Sequence, residues 1–429
     1  MKIKVIFCTF VKMKKIVKNI SKLVQTEQKK RKWVSGKDMQ NISFIENAFM
    51  EIKNDTIVSF GSMSEWNGID DWNNTEIIDA EGGMVFPTYC DSHTHLVFAD
   101  SREKEFIDKI NGLSYQEIAE NGGGILNSAK KIKSIDEDEL YEKSLERLNN
   151  AIQLGTGAIE IKSGYGLNLE SELKILRVIK KLRENSDAKI KATFLGAHAI
   201  PSEFKNNKQK YLDLVIKEML PIIAKEKLAE YVDIFCEIGY FDTYDTEKLL
   251  QAANKFGIRS KTHVNQFNII GGVKASVENG AISVDHLEEI SNEDLEILKG
   301  SNCMPTLLPS CSFFLDMKYS EARKIIDYGL PVALATDYNP GSSPSYNMNF
   351  VGSLACIKLK MTPNEVINAM TINSAYAMGV EDELGSICIG KKANFFITKK
   401  ISSIDFIPYS FGENLIQKVF LNGKEQNSL

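Results

Sequence analysis

From residue 84 onward the chain alternates between short, β-leaning apolar runs and amphipathic stretches of helical period, and nothing else in it limits the fold as strongly. Candidate strands lie at 84–91, 157–162, 190–195, 231–236, 258–263, 282–286, 303–308 and 331–336. Between them come stretches such as 170–184, where Leu173, Leu176, Ile179 and Leu182 share one helical face. Several such stretches stop at glycine, at Gly155, Gly257 and Gly329. Strand–helix repeats of this kind predict parallel βα units. Eight of them over roughly 250 residues predict an α/β fold, a (β/α)8 TIM-like barrel, with an open doubly wound sheet as the alternative.

The flanks read differently. Residues 13–83 are short, mixed and β-leaning, and 49–53 with 56–61 predicts a hairpin around Asn54 and Asp55. Past Met378, short strands return at 386–390, 394–398, 418–421 and 422–424. A small β-sandwich domain built from both chain ends is therefore expected, from 1–83 and 379–429, around a barrel at 84–378. Residues 1–12 hold a short apolar core between lysines with no Ala-x-Ala-like site after it. They read as a disordered extension, with Met13 as a candidate start.

Charge and cysteine usage bear on partners. The 429 residues are 43% hydrophobic and 25% charged, as in an ordinary soluble globular protein. A net charge of -5 gives no general reason to bind nucleic acid or an anionic membrane. The basic run Lys29-Lys30-Arg31-Lys32 is short and reads as a solvated loop. No apolar stretch reaches the ~18–20 residues of a membrane span. The seven cysteines are odd in number and include no Cys-x-x-Cys, which favours reduced thiols and a cytoplasmic setting.

The polar residues fall where a barrel would gather them. On an extended strand, side chains two apart point the same way, so His93 and His95 can reach one ion. The chain has five histidines, and the other three, His198, His263 and His286, also follow short apolar or β-branched runs. His198 follows the third strand and Glu237 the fourth; His263 ends the fifth, His286 the sixth, and Asp337 follows the eighth. In a barrel these strand ends meet on one rim, whereas an open sheet would spread them along its edge. Three imidazoles and a carboxylate suit Zn or Fe, and the ligands read this way are His93, His95, His263 and Asp337. Such an ion lowers the pKa of its water towards ~7. Asp337 can also take that water's proton, and His286 stands beside the ion or against the attacked carbonyl, as a hydrogen-bond donor.

Longer strings carry a resemblance. Asp-x-His-Thr-His, a His ending the fifth strand, another ending the sixth and an Asp after the eighth resemble the amidohydrolase superfamily. Residues 93–98, 101–106, 160–167, 194–199, 285–288 and 335–343 resemble its imidazolonepropionase family more closely, and the likeness runs from about residue 14 to near the C-terminus. It implies metal-dependent hydrolysis of the cyclic amide C–N bond of 4-imidazolone-5-propanoate to N-formimidoyl-L-glutamate, in histidine degradation. It implies the same four metal ligands. It also implies substrate contacts at Arg102, Tyr115, Tyr165, His198, Asn339, Gly341 and Ser342, and a homodimer. Glu237 stands where two-metal relatives carry a carboxylated lysine, so one Zn or Fe ion per chain is expected.

Physical readings stand beside these. Arg102 offers a planar fork for the propanoate, or a salt bridge to Glu103 or Glu105. Glycines on both sides of Tyr165 allow a sharp turn that presents its phenol. The turn Asn339-Pro340-Gly341-Ser342 has backbone N–H groups that could hold a carboxylate. Gly122-Gly123-Gly124 reads as a mobile loop near the rim. Some family members carry Glu where this chain has Gln266; an amide only hydrogen-bonds, so the base falls to Asp337, with His286. Asn394, where many amidohydrolases have Asp, carries a structural expectation only. Two rivals remain: a single-metal aminohydrolase of purines or pyrimidines, against which Arg102 and the Tyr165 loop argue, and a non-catalytic scaffold, which would usually have lost a metal ligand.

Overall fold

A computed structural model describes residues 14–113, 117–118 and 122–426, so the expected 1–12 extension lies outside the described residues. The first strands are β1 (Lys14–Val24), β2 (Thr26–Glu27), β3 (Phe44–Lys53), β4 (Thr56–Ser62), β5 (Thr75–Asp79) and β6 (Val85–Pro87). β3 and β4 form the expected antiparallel hairpin, with Asn54 at φ 59° in its turn. The run expected as one strand over 84–91 is two strands in different sheets. Pro87 has no N–H with which to continue a ladder. Past it, Thr88 N–H bonds Asn394 O at 3.1 Å and Tyr89 N–H bonds Gly155 O at 2.9 Å, which carries the chain into β7 (Tyr89–Asp91).

Seven more strands follow β7 in sequential, parallel order: β8 (Thr156–Lys162), β9 (Lys189–Ala197), β10 (Tyr231–Cys236), β11 (Arg259–Val264), β12 (Ser283–His286), β13 (Met304–Leu307) and β14 (Ala333–Leu334). β14 is shorter than the expected 331–336, because the residues after it turn to the first strand and close the ring. Thr336 gives its N–H and its hydroxyl to the Asp91 carboxylate at 3.0 and 2.6 Å. Asp337 N–H donates to His93 O at 3.0 Å, and His95 N–H donates to Tyr338 O at 2.8 Å. The fold is the expected (β/α)8 barrel.

Helices cover the barrel as their periodicity dictates. Leu169–Asn185, close to the expected 170–184, buries Ile175, Leu176, Ile179 and Leu182, and Asn168 caps it through Ser171 N–H. Fully burying each such aliphatic side chain contributes about 1.5–3 kcal/mol. Gly155, Gly257 and Gly329, where helices were expected to stop, take φ of 91°, 70° and 94°, a region that favours glycine.

The C-terminal strands are β15 (Ile387–Cys388), β16 (Phe395–Thr398), β17 (Ile416–Leu421) and β18 (Lys424–Glu425). The expected strand at 422–424 is instead a turn, with Asn422 and Gly423 at φ 52° and 72° between β17 and β18. Both chain ends build one eight-stranded sheet in the order β18-β17-β16-β6-β1-β3-β4, with β5 also on β1. β2 and β15 form a two-stranded pair whose Ile387 joins the apolar cluster of Val17, Ile20, Phe395 and Phe420. The expected sandwich is thus one broad sheet with a small pair against it. Asn394 accepts the Asn422 N–H at 2.8 Å, a structural role. Among the described residues no helix is long and apolar enough to cross a membrane, and the six described cysteines are free.

Candidate active site

Charged residues are built into the barrel's interior below the histidines. On a strand, residues two apart share a face, so Glu160 and Lys162 on β8 point inward together, as do Lys261 and His263 on β11. Asp233 on β10 and Asp285 on β12 join them, and all five acids and lysines are fully buried. Lys162 Nζ lies 2.8 Å from Glu160 Oε1, 2.8 Å from Asp233 Oδ2 and 3.5 Å from Asp285 Oδ2. Lys261 donates to Glu160 and, at 2.6 Å, to Ser92 O. Every charge in this lattice therefore has an opposite partner, the condition for keeping ions in a dry core.

The lattice reaches the histidines above it. His93 Nδ1 lies 2.7 Å from Asp285 Oδ2, and His263 Nδ1 lies 3.0 Å from Asp233 Oδ2. A carboxylate only accepts, so His93 Nδ1 carries the proton and its Nε2 presents a lone pair, whereas His263 Nδ1 stands close to Asp233 without a hydrogen bond. The rings of His93 and His263 are 4.5 Å apart, and each is 5.5 Å from that of His95. Asp337 Oδ1 lies 3.6 Å from His93 Nε2 and 3.7 Å from His95 Nε2. Ligand atoms of His93, His95 and Asp337 fall within 4.8 Å of one another. His263 shares one such group with His93 and His286 and a second with His95 and His198, but none with Asp337 among the described residues. The buried Nε2 atoms of His93 and His263 have no hydrogen-bond partner. Orphaned polar atoms are rare in a core, and lone pairs converging from neutral rings are what a divalent cation accepts. The residues fit a metal ion.

Titration follows from the same surroundings. Burial, then the Lys162 ammonium, holds His93 and His263 well below the ordinary imidazole range. Burial and His198 do the same for His95. Burial lowers His198 to about 4 and raises Asp337 to about 6. For His286 burial opposes the charge, but Glu288, 3.4 Å from its Nδ1, and then Asp337 raise its pKa above the usual value. A protonated His286 is a hydrogen-bond donor facing the same space. Its ring centre is 5.3 Å from that of His263.

Around this centre lies a cavity of about 40 Å³, and a second of about 530 Å³ opens outside it; Arg102, Phe267 and Leu315 line both. Tyr165, His198, Gln266, Asn339 and Ser342 line the inner cavity. The Tyr165 loop is shaped by Glu172, whose carboxylate accepts the N–H groups of Gly164, Gly166 and Leu167 at 3.1, 2.7 and 2.9 Å. His198 stacks on His95 with centres 5.1 Å apart and donates Nδ1–H to Gly164 O at 3.1 Å. Gln266 donates to Cys311 Sγ at 3.6 Å. Arg102 pairs with Glu105 through Nε and Nη2, both at 2.7 Å, the salt bridge left open by the sequence. Its guanidinium packs on Gly341, where a Cβ would stand 2.1 Å from Nη1. Tyr115 lies outside the described residues.

A model of the amidohydrolase family matches residues 84–425. This chain belongs to the amidohydrolase family. An imidazolonepropionase of Christiangramia forsetii is 58% identical over 95% of this chain and 99% of that protein. One from Flavobacterium johnsoniae is 57% identical with the same coverage. The chain belongs with the imidazolonepropionases inside that family. Among solved structures, an adenosine deaminase from Xanthomonas campestris with bound zinc superposes with a TM-score of 0.69 at 12% identity, over 96% of this chain and 92% of that one. That likeness is one of fold.

Two site readings change within this amidohydrolase. The N–H groups of Gly341 and Ser342, read as a carboxylate cradle, both donate to Asn339 Oδ1 at 2.8 Å, because a short Asn side chain caps its own turn. Gly124, read as part of a loop, opens the helix Gly124–Ser134 and donates its N–H to Glu105 at 3.1 Å. Glu237 holds the loop after β11, accepting from Phe267 N–H at 2.9 Å and Asn268 N–H at 3.1 Å. Sequence reading missed Asp233, Asp285, Lys162, Lys261 and Glu172. Their signal was charge at a spacing of two inside otherwise apolar strands, or in a helix's first turn.

Proposed function

We propose that this chain uses water to open the cyclic amide of 4-imidazolone-5-propanoate, giving N-formimidoyl-L-glutamate in histidine degradation, with one Zn or Fe ion per chain. Identity of 58% to an imidazolonepropionase along essentially the whole of both chains carries this reading. His93, His95, His263 and Asp337 would hold the ion, a set supported by rings held neutral and by the unpartnered Nε2 atoms of His93 and His263. When bound, such an ion acidifies a water molecule and polarises a carbonyl.

The chain's own groups do the rest. Asp337, whose carboxyl titrates at about 6, takes the proton from water and returns it to the departing ring nitrogen. His286, kept protonated by Glu288, donates to the carbonyl oxygen as negative charge grows there. His198, with its Nδ1–H committed to Gly164 O, offers Nε2 as an acceptor for a ring N–H. Arg102 lines both cavities, so a tail extending outward from the centre meets its positive charge. Gln266 orients the ring by hydrogen bonding, with Tyr165 beside it. Free cysteines support a reducing, cytoplasmic setting. A homodimer rests on the family resemblance.

The test follows loss of imidazolone absorbance by the purified chain, before and after chelation and after return of Zn²⁺ or Fe²⁺. Turnover should vanish on chelation and return with metal. A metal-loaded chain that leaves imidazolonepropanoate untouched would defeat the proposal, and turnover of a nucleobase instead would point to another amidohydrolase substrate.

A further inference from the structure

We propose a second cation site beside the first, made by His286, Glu288 and Cys311, which takes a borderline-soft divalent ion when metal is in excess. The ligand atoms of these three residues lie within 4.8 Å of one another. They are 3%, 1% and 0% exposed. The site shares none of the four ligands assigned to the first ion.

The local backbone explains how the group assembles. His286 and Leu287 take φ of 90° and 60°, which ends β12 abruptly and turns Glu288 back towards the imidazole. Cys311 arrives from the segment after β13, in the helix Pro309–Leu315. Glu288 Oε1 accepts the Ser312 hydroxyl at 3.2 Å and, at 3.5 Å, the His286 Nδ1–H. Its Oε2 is buried with no hydrogen-bond partner, and His286 Nδ1 stands off at 3.4 Å. That is longer than a charge-assisted hydrogen bond, which runs about 2.7–2.9 Å. A buried carboxylate oxygen without a donor is an expensive thing to keep, and a cation would complete it.

The donor set selects the ion. One sulfur, one imidazole nitrogen and one carboxylate oxygen suit Zn²⁺ or Co²⁺ and not Mg²⁺ or Ca²⁺. On binding, the Cys311 S–H bond breaks, the sulfur becomes a thiolate ligand, and the proton leaves to solvent; a proton on His286 leaves with it. An ion held there occupies the imidazole that the proposed reaction uses as a donor, so it inhibits. The site adds metal inhibition to the hydrolytic reading, yet its existence does not depend on the substrate.

The full-length chain, stripped by chelation and titrated with Co²⁺, tests it through absorbance. Two equivalents should bind, and a near-ultraviolet thiolate-to-cobalt charge-transfer band should appear. Cys311→Ser should lose the band and one equivalent. Glu288→Gln should keep the band but bind the second equivalent about tenfold more weakly or worse. Saturation of the parent chain at one equivalent without the band would reduce His286 and Glu288 to an ion pair and overturn the proposal. So would a band that survives Cys311→Ser, or an unchanged second affinity in Glu288→Gln should the serine variant not fold. The readout is bound metal, so its failure would leave the substrate assignment standing.

Discussion

His93 Nδ1 lies 2.7 Å from Asp285 Oδ2, and neither side chain is exposed. Asp285 is tied in turn by Ser283 Oγ at 2.7 Å and faces Lys162 at 3.5 Å. The carboxylate thus fixes which nitrogen of His93 carries the proton and how the ring is turned. Asp285→Asn keeps the shape and removes the charge. Zn²⁺ affinity should fall about 10–100-fold, read by competition against a chromophoric chelator. Unchanged affinity in a folded variant would mean that packing alone orients His93.

Gly341 is small because Arg102 lies on it. A methyl group there would stand 2.1 Å from Nη1 and 2.3 Å from Cζ. The guanidinium cannot simply swing away, since Glu105 holds Nε and Nη2 and is itself bonded by Gly124 N–H and Asn127. Gly341→Ala should therefore displace Arg102 while sparing the histidines. KM for imidazolonepropanoate should rise about tenfold, equivalent to about 1.4 kcal/mol of binding, with kcat changed less. Steady-state kinetics would decide, and an unaltered KM would remove Arg102 from substrate binding.

How much of this could be read beforehand depends on locality. Strand ends were legible because a histidine or acid after an apolar run is a local pattern, and barrel closure then brings distant ends together without knowledge of any contact. Pro87 shows the opposite case: the apolar run across it continues, and only the missing N–H and the partners of Thr88 and Tyr89 reveal that two sheets share it. The buried lattice was hidden because a charged residue on a strand ordinarily signals solvent. Lys261 and His263 share parity, as do Glu160 and Lys162, but which parity faces inward emerges only from the register across β8 to β12. The turn at Asn339 was legible as a turn. That its side chain would take the N–H groups of Gly341 and Ser342 was not, because a free turn and a self-capped one share a sequence.

Asp337 sets a pH limit on metal retention. Burial raises its carboxyl from 3.8 to about 6. Below that value the oxygen facing His93 and His95 carries a proton and cannot ligate; above it the anion is free to bind. The metal-free chain should therefore take up Zn²⁺ readily at pH 7.5 and progressively less as pH falls through about 6. The sign for stability runs the other way. A raised carboxyl binds its proton more tightly folded than unfolded, so this contribution is present below the ordinary value and is lost as pH rises through about 6. Metal content after dialysis across this range, with thermal melts of the stripped chain, would check both; retention that is flat down to pH 5 would exclude Asp337 as a controlling ligand.

Lys162 is the buried cation on which three carboxylates converge. Two of them, Glu160 and Asp233, lie 2.8 Å from its Nζ, and Asp285 lies at 3.5 Å. Lys162→Met fills the space but leaves Lys261 to face Glu160 and Asp285, and leaves Asp233 beside His263 with no lysine. Removing one partner of a buried ionic group costs about 3–5 kcal/mol, far above the fraction of a kcal/mol of an exposed helical pair. Lys217→Met, which breaks the exposed pair with Asp213, is the matching control. Denaturant unfolding of the metal-free variants should separate them by several kcal/mol. The same change removes the cation that helps hold His93 and His263 neutral, so their protonation should move upward and metal loss on acidification should begin at higher pH. A Lys162→Met chain as stable as the Lys217→Met control would mean that Lys261 or water can balance the lattice alone, and that Lys162 is not what fixes the acids beneath the histidines.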